Sequence, residues 1–347
     1  MRRFLLSSAI ILGLILNAIC IGLSFSVQSV YSSGKITLQP TIVNGYNSSK
    51  VVILAFDDSS KNQFILAKPI LDKYGFKGSF FTVCNYVNNA TAGYKPYSHN
   101  YMAWQDIKTL QKQGHDIESH TMTHTNLDTK SIQALEYELG GSKQCLLDHG
   151  IDSTIFSYPS SHGDSNTTVV KVVSKYYDLA RTADAPLAFL HCNGYGKEKD
   201  CRPFNNNNGK LGYEHRYSIR EWGHHPHIEG YQPSTNSVVP SFNQSQMFNQ
   251  FVKEVNSQQN YNKNGCIVAI PIVVYHKILP GNIVYTPNKS SIDVNLFSAE
   301  MKYLHDNGFK VIKTSDLGYN QTNNHVYIKQ LNSNNNNNNS NAYAKNC

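Results

Sequence analysis

Two adjacent carboxylates, Asp57 and Asp58, close the apolar run Val51-Val52-Ile53-Leu54-Ala55-Phe56. Further along, Ser119-His120-Thr121-Met122-Thr123-His124 carries two histidines four positions apart. One Asp with two His is a ligand set for a divalent metal that leaves coordination positions open. The other Asp would stand beside the ion as a general base, which is the equipment of a metal-assisted hydrolase. Neighbouring side chains on a strand point to opposite sides. Both carboxylates therefore reach one site only if the chain bends after Phe56, and Ser59 and Ser60 permit that. The plainer use of the pair is to cap a helix beginning near Asn62. His120 and His124 would share a face on a helical turn, and small Ser119 and Thr121 leave room for a ligand. The plainer reading is a surface or structural pair.

Two further segments end in residues able to do chemistry. Phe156-Ser157-Tyr158-Pro159-Ser160 ends a strand with a Tyr-Pro step, and the Ser160 amide could stabilise a tetrahedral oxyanion. Val273-Val274-Tyr275-His276 ends the longest apolar run, and His276 could protonate a departing amine or alkoxide. Each alone is an ordinary strand end; their value is in combination.

The elements that must position these residues alternate. Strands are predicted over 51–56, 78–84, 115–118, 153–158, 179–182, 217–222, 266–275 and 309–312. Helices are predicted over 64–73, 104–113, 131–147, 169–177, 243–256 and 295–305. Such alternation fits one barrel-like α/β domain, with catalytic residues at the C-terminal ends of strands. Asp57, Asp58, His120, Tyr158, Arg220 and His276 all fall at or just beyond those ends.

The flanks differ from this core. Met1-Arg2-Arg3 precedes a mostly apolar run over 4–23, which reads as an export signal or as a retained membrane anchor. Residues 1–29 are assigned to that signal or anchor, 30–48 to a linker, 49–326 to the catalytic domain and 327–347 to an Asn-rich disordered tail. Residues 184–215 lack periodicity and read as a long surface excursion. The 347-residue chain carries a formal net charge of +7, with its positive residues scattered. Nothing in that pattern calls for a nucleic acid. Tyr is abundant at 22 and Trp scarce at 2, a composition that suits sugar contact and ordinary packing alike. Of seven cysteines, Cys192 and Cys201 bracket a polar loop and make a plausible local disulfide in an exported chain. Cys84 and Cys266 lie in apolar runs and read as buried thiols.

At these residues the chain resembles the polysaccharide deacetylase family (NodB-homology domain, carbohydrate esterase family 4), over roughly residues 51–317. Ala55-Phe56-Asp57-Asp58 matches the first of five ordered motifs, usually written TFDD. His120-Thr121-Met122-Thr123-His124 matches the second. Phe156-Ser157-Tyr158-Pro159 resembles the third, in a variant without the Arg of the RxPY form. Ile219-Arg220-Glu221-Trp222 is the best match to the fourth, and Val274-Tyr275-His276 matches the fifth.

The resemblance implies a distorted (β/α) barrel of about seven parallel strands in a single catalytic domain. It implies that Asp58, His120 and His124 hold one divalent ion, Zn²⁺ first, with Co²⁺ or Ni²⁺ as alternatives. Asp57 would be the catalytic base, oriented and kept ionised by Arg220, and His276 the general acid. Tyr158, Pro159, Ser160 and Trp222 would form the substrate and oxyanion wall. The reaction implied is removal of N-acetyl groups from amino sugars of an extracellular or cell-surface polysaccharide. An acetyl-ester or linear-amide hydrolase, or a non-catalytic polysaccharide-binding domain, are the alternatives. Two departures bear on the substrate. Ser160-Ser161-His162-Gly163 replaces the usual Tyr-Gly. His224, His225 and His227 lie outside the family core and could bind a second metal or line a solvated loop.

Overall fold

The computed structural model describes residues 50–88, 100–183, 185–190, 204–205, 211–213, 215–226, 241–263, 266–287, 290–322 and 325–329. All fall within one compact unit, 48–347. The expected signal or anchor, the Cys192–Cys201 pair, His227 and residues 330–347 lie outside the described residues. So do most of 184–215.

Seven strands form the barrel. β1 (Val51–Phe56), β2 (Ser79–Thr82), β3 (Asp116–Ser119), β4 (Ile155–Ser157) and β5 (Leu179–Ala183) are joined in sequence order. β6 (Ile219–Gly223) and β7 (Ile272–Tyr275) follow. β7 pairs back onto β1, aligning Ile53 with Ile272 and Phe56 with Tyr275, and closes the ring. Every pairing in the ring is parallel. The distortion lies at β1. Its second half pairs with β2 through Ala55 and Phe56, while β8 (Lys310–Ile312) occupies the same edge along Val51, Val52 and Ile53.

Helices cover the parallel crossovers, except that between β5 and β6 the described residues include no α-helix. The helices are α1 (Lys68–Tyr74), α2 (Cys84–Asn88), α3 (Trp104–Lys112), α4 (Ile132–Asp148), α5 (Thr167–Tyr176), α6 (Gln244–Ser257) and α7 (Val294–Asp306). Their starts are written in the sequence. Ser131, Asn166, Asn243 and Asp293 each accept a backbone N–H of the following turn, the capping expected of these side chains. The predicted strand over 266–275 is divided at Pro271 into Ala269–Ile270 and Ile272–Tyr275. Proline has no N–H for a ladder, so it interrupts a strand inside a sheet. A hairpin of Leu317–Asn320 and His325–Ile328 ends the described chain. It reaches into the segment expected as tail.

Strand periodicity divides the core into two layers. Val51, Ile53 and Ala55 face the barrel interior with Phe81, Ile155, Leu179, Ile219, Ile272 and Val274. Val52, Leu54, Phe56, Phe80, Val273 and Tyr275 face outward against the helices. This parity decides which residues beyond each strand end can meet on the axis.

Cys84 is not a free thiol: it is joined to Cys145 of α4 by a disulfide. Cys266 is also disulfide-bonded. An apolar run signals burial, and a disulfide sulfur is as content there as a thiol, so the sequence pattern could not separate the two. Among the described residues, no helix is long and apolar enough to cross a membrane.

Candidate active site

The interior parity of the strands continues into the residues at their C-terminal ends. Asp57 extends the inward series 51, 53, 55. His120 follows β3, Ser157 ends β4, Arg181 lies on β5, Glu221 on β6, and His276 follows β7. The chain bends after Asp57, because Asp58 and Ser59 take φ values of 70° and 55°. That bend brings both carboxylates to one place. Asn62 precedes the π-helical turn Gln63–Ala67, whose start has no side-chain cap, so the carboxylates are not spent on capping.

His120 and His124 do not lie on a helical turn. Thr121 and His124 have φ values of 70° and 60°, and these two left-handed residues fold the segment until the imidazoles lie 4.8 Å apart. Among the described residues, the non-glycine residues with positive φ are Asp58, Ser59, Thr121, His124, Ser160 and Ser161. All lie on the loops after β1, β3 and β4. Each such conformation costs about 1–3 kcal/mol and persists only where surrounding contacts hold it.

The Asp58 Oδ1 atom lies 3.1 Å from His124 Nε2 and 3.5 Å from His120 Nε2. It is buried, yet no hydrogen bond satisfies it. His120 Nδ1 lies 2.9 Å from the Ser157 carbonyl oxygen. A carbonyl only accepts, so Nδ1 donates to it, and that bond leaves Nε2 as the nitrogen turned toward Asp58. A buried, unsatisfied carboxylate oxygen facing two imidazole nitrogens fits a divalent ion. Among the described residues, these three form the metal-competent cluster.

Asp57 is 3% exposed. Its Oδ1 accepts from Arg181 Nη2, its Oδ2 accepts from Ser157 Oγ at 3.3 Å, and Oδ2 stands 3.9 Å from His120 Nε2. Burial alone would raise this carboxyl, but the Arg181 charge, with His120 and His276, overrides it and leaves the pKa below the ordinary value. Arg181 is buried over the Phe81 ring at 3.8 Å. Its other arm donates to Glu221. Burial pushes the Glu221 carboxyl up to about 7 against the pull of Arg181.

His276 is half-buried, and its Nδ1 has no hydrogen-bond partner. Burial holds its pKa below the ordinary value, against Asp58 and Asp57. Gln63 ties both strand ends together, donating to the backbone oxygens of Asp57 and His276, the latter at 2.7 Å. Tyr101, stacked on Tyr86 at 4.3 Å, adds an aromatic edge, and Tyr86 lies 6.3 Å from the His124 ring.

Several expected residues stand elsewhere. Arg220 does not touch Asp57. It donates to the Ala183 carbonyl at 2.8 Å and meets Asp164 at 3.5 Å. Ile219 and Glu221 point inward, so Arg220 between them points outward, and Arg181 takes the place expected of it. Trp222 shares that outward parity and packs among Phe251, His224 and the outer core instead of walling the site. Tyr158 is buried edge-on to Phe156 within the cluster under α4 and α5. Pro159 is buried beside it, and Ser160 is exposed with φ 51°. His224 is fully buried, with one ring nitrogen 2.9 Å from Glu300 and the other 3.2 Å from the Val274 carbonyl. Both nitrogens are engaged, so His224 cannot join a second metal site.

Sequence reasoning missed Arg181, Glu221 and Gln63. The available signal was parity: Arg181 is a charge at an inward position of a buried strand, two residues after Leu179.

A sequence model of the family described as polysaccharide deacetylase matches residues 44–177. That segment holds the first three motifs. The chain is 31% identical over 130 residues to YxkH of Bacillus subtilis (strain 168), a protein named for the same family. The match covers 37% of this chain and 42% of YxkH. A gellan lyase from Bacillus sp. is 26% identical over 130 residues, 37% of this chain and 4% of that protein. The chain thus spans less than half the length of either relative. Among solved structures, the Xyl-CE4 domain of a multidomain xylanase from the hindgut metagenome of Trinervitermes trinervoides is 16% identical with TM-score 0.44. That likeness covers 77% of this chain and 88% of that one. The Streptococcus pyogenes deacetylase PplD is 22% identical with TM-score 0.40, covering 52% and 67%.

Proposed function

We propose that the protein is a metal-dependent hydrolase removing N-acetyl groups from amino sugars of a polysaccharide, a reading supported by the match of residues 44–177 to the polysaccharide deacetylase family model. The observation that carries this reading is the unsatisfied Asp58 oxygen facing Nε2 of both His120 and His124, with Asp57 alongside. Asp58, His120 and His124 would hold one divalent ion, Zn²⁺ first. Such an ion supplies Lewis-acid polarisation of the acyl carbonyl and a water made acidic enough to attack near neutral pH.

The chain's own residues do the rest. Asp57, kept ionised by Arg181, takes the proton from the attacking water. Ser157 and Arg181 fix its two oxygens, so the accepting lone pair keeps one direction. The carbon–oxygen bond forms and the carbon–nitrogen bond breaks. His276 delivers a proton to the departing nitrogen; a lowered pKa makes its protonated form a strong donor. The backbone amide of Ser160, an exposed residue, is the candidate partner for negative charge on the carbonyl oxygen. Tyr86 and Tyr101 offer apolar ring faces to a sugar. The products are acetate and a free amino sugar.

The Cys84–Cys145 disulfide and the bonded Cys266 support an oxidising compartment. Together with the apolar run over 4–23, they favour export, with the polymer outside the cell or on its surface.

The test is acetate release by the full chain, chelator-treated and then supplied with Zn²⁺ or Co²⁺. Acetylated chito-oligosaccharides should release acetate only with metal. Release from acetylated xylan alone would replace the amide by an ester substrate. No release from either, with metal bound, would leave a polysaccharide-binding domain.

A further inference from the structure

The loop carrying both imidazole ligands holds two residues in a conformation that costs them energy. Thr121 is β-branched and has φ 70°, and His124 has φ 60°. A β-branched residue at positive φ is a genuine outlier. Something outside the loop must hold it there, and one face of α4 is built to do so. Glu138 is 5% exposed. Its Oε2 accepts the backbone N–H groups of Met122 at 3.1 Å and Thr123 at 2.9 Å, and its Oε1 accepts the Thr123 hydroxyl at 2.6 Å.

Positions three, four and seven further along share that face. Gly141 lies against Met122, where a Cβ would come within 3.3 Å of Met122 Cγ. A glycine inside a helix costs about 1 kcal/mol relative to alanine, and here it lets the loop approach. The Ser142 hydroxyl lies 2.8 Å from that of Ser119, just before the loop. Cys145 is bonded to Cys84. From the other side, α2 donates the N–H of Cys84 to the Thr121 carbonyl at 3.2 Å and that of Asn85 to the Met122 carbonyl at 2.9 Å.

We propose that Glu138 is a positioning residue for metal binding. Its carboxylate grips Met122 and Thr123, two of the three residues between the two histidines, and holds the rings at the spacing a shared ion needs. This rests on the metal reading given above. Partners that orient metal ligands from behind are worth about 10–100-fold in metal affinity.

Calorimetric titration of Zn²⁺ into the chelator-treated full chain tests this. Glu138→Gln should weaken the dissociation constant about 10–100-fold. Thr123→Val removes only the hydroxyl bond and should weaken it about fivefold, as expected for one hydrogen bond. Asp293→Asn is the control. It alters a buried carboxylate that caps α7 and accepts from Tyr285, with its hydrogen bonds to Tyr285, Asn295 and Leu296 all outside this loop. It should change melting temperature and leave Zn²⁺ affinity within about twofold, less than one lost hydrogen bond is worth. Unchanged affinity in both Glu138→Gln and Thr123→Val would overturn the proposal, as would an equal loss in all three variants. If Glu138→Gln does not fold, Thr123→Val decides alone. A wild-type chain that binds no Zn²⁺ would end the metal reading itself, an outcome separate from wild-type binding with unaffected variants.

Discussion

Asp57 reaches the barrel axis with its charge already assured. A guanidinium, a hydroxyl and the nearby imidazoles surround it, and the Arg181 charge, ahead of His120 and His276, keeps a carboxyl so buried below its ordinary pKa. Two consequences can be measured in turnover. Asp57→Asn should lose essentially all acetate release and still bind Zn²⁺ in a titration, because Asp58, His120 and His124 are untouched. Wild-type-like turnover in that variant would remove Asp57 as the base. Arg181→Lys keeps a positive charge but loses the fork that serves Asp57 and Glu221 at once. Its kcat should fall about 10–100-fold, the range of a lost charge-assisted contact of 1.5–3 kcal/mol. Arg220→Ala should stay within a fewfold of wild type, since Arg220 faces outward to Ala183 and Asp164. The reverse order of the two variants would restore the sequence-based assignment. That assignment failed for a specific reason. Motif matching ranks an Arg next to a Trp highly but does not count which face of a strand the Arg occupies. That Asp57, Asp58, His120, His124 and His276 would converge was legible from their types and order. Arg181, Glu221 and Gln63 were not, because their roles exist only once β5, β6 and the turn after β1 are laid beside β1.

At the scale of elements, strand–helix alternation was readable from apolar periodicity and capping residues. The geometry between elements was not. The His120–His124 segment has helical spacing, yet it folds through left-handed Thr121 and His124, because α2 and α4 hold it from both sides. The disulfide joins those two helices across a sequence separation of 61. A cross-link over a loop of that size is worth about 4 kcal/mol in the chain-entropy view, with 2–5 kcal/mol typical when a native bond is removed. The double variant Cys84→Ser/Cys145→Ser should lose about 2–4 kcal/mol in denaturant unfolding. A midpoint equal to wild type would mean that the bond adds nothing to the stability of the pair. Using both serines avoids an unpaired thiol and leaves the Cys266 bond in place, which a reductant would not.

At the scale of the whole molecule, the barrel sets a limit on acid tolerance through a residue remote from the chemistry. His115 precedes β3 and is 3% exposed. Its Nδ1 accepts the Gly78 N–H at 3.0 Å, so it must be neutral in the folded state. Burial, helped by Lys77 and opposed by Asp72, brings its pKa down to about 4. The unfolded chain would titrate this imidazole near 6.5. Between pH 6.5 and 4 the unfolded state therefore binds a proton that the folded state refuses. The contribution is complete above pH 6.5 and is lost as pH falls toward 4, with a ceiling of about 3 kcal/mol at about 1.4 kcal/mol per pK unit. Glu221 works the other way, since its raised pKa favours the folded state as pH falls from 7. The comparison must therefore be between variants, not with a flat baseline. His115→Asn keeps an oxygen able to accept the Gly78 N–H and cannot take up a proton in this range. Denaturant midpoints measured from pH 7 to 4 should fall more steeply for wild type than for His115→Asn, the two curves converging toward pH 4. Parallel curves would show that the buried imidazole is not what acid attacks first.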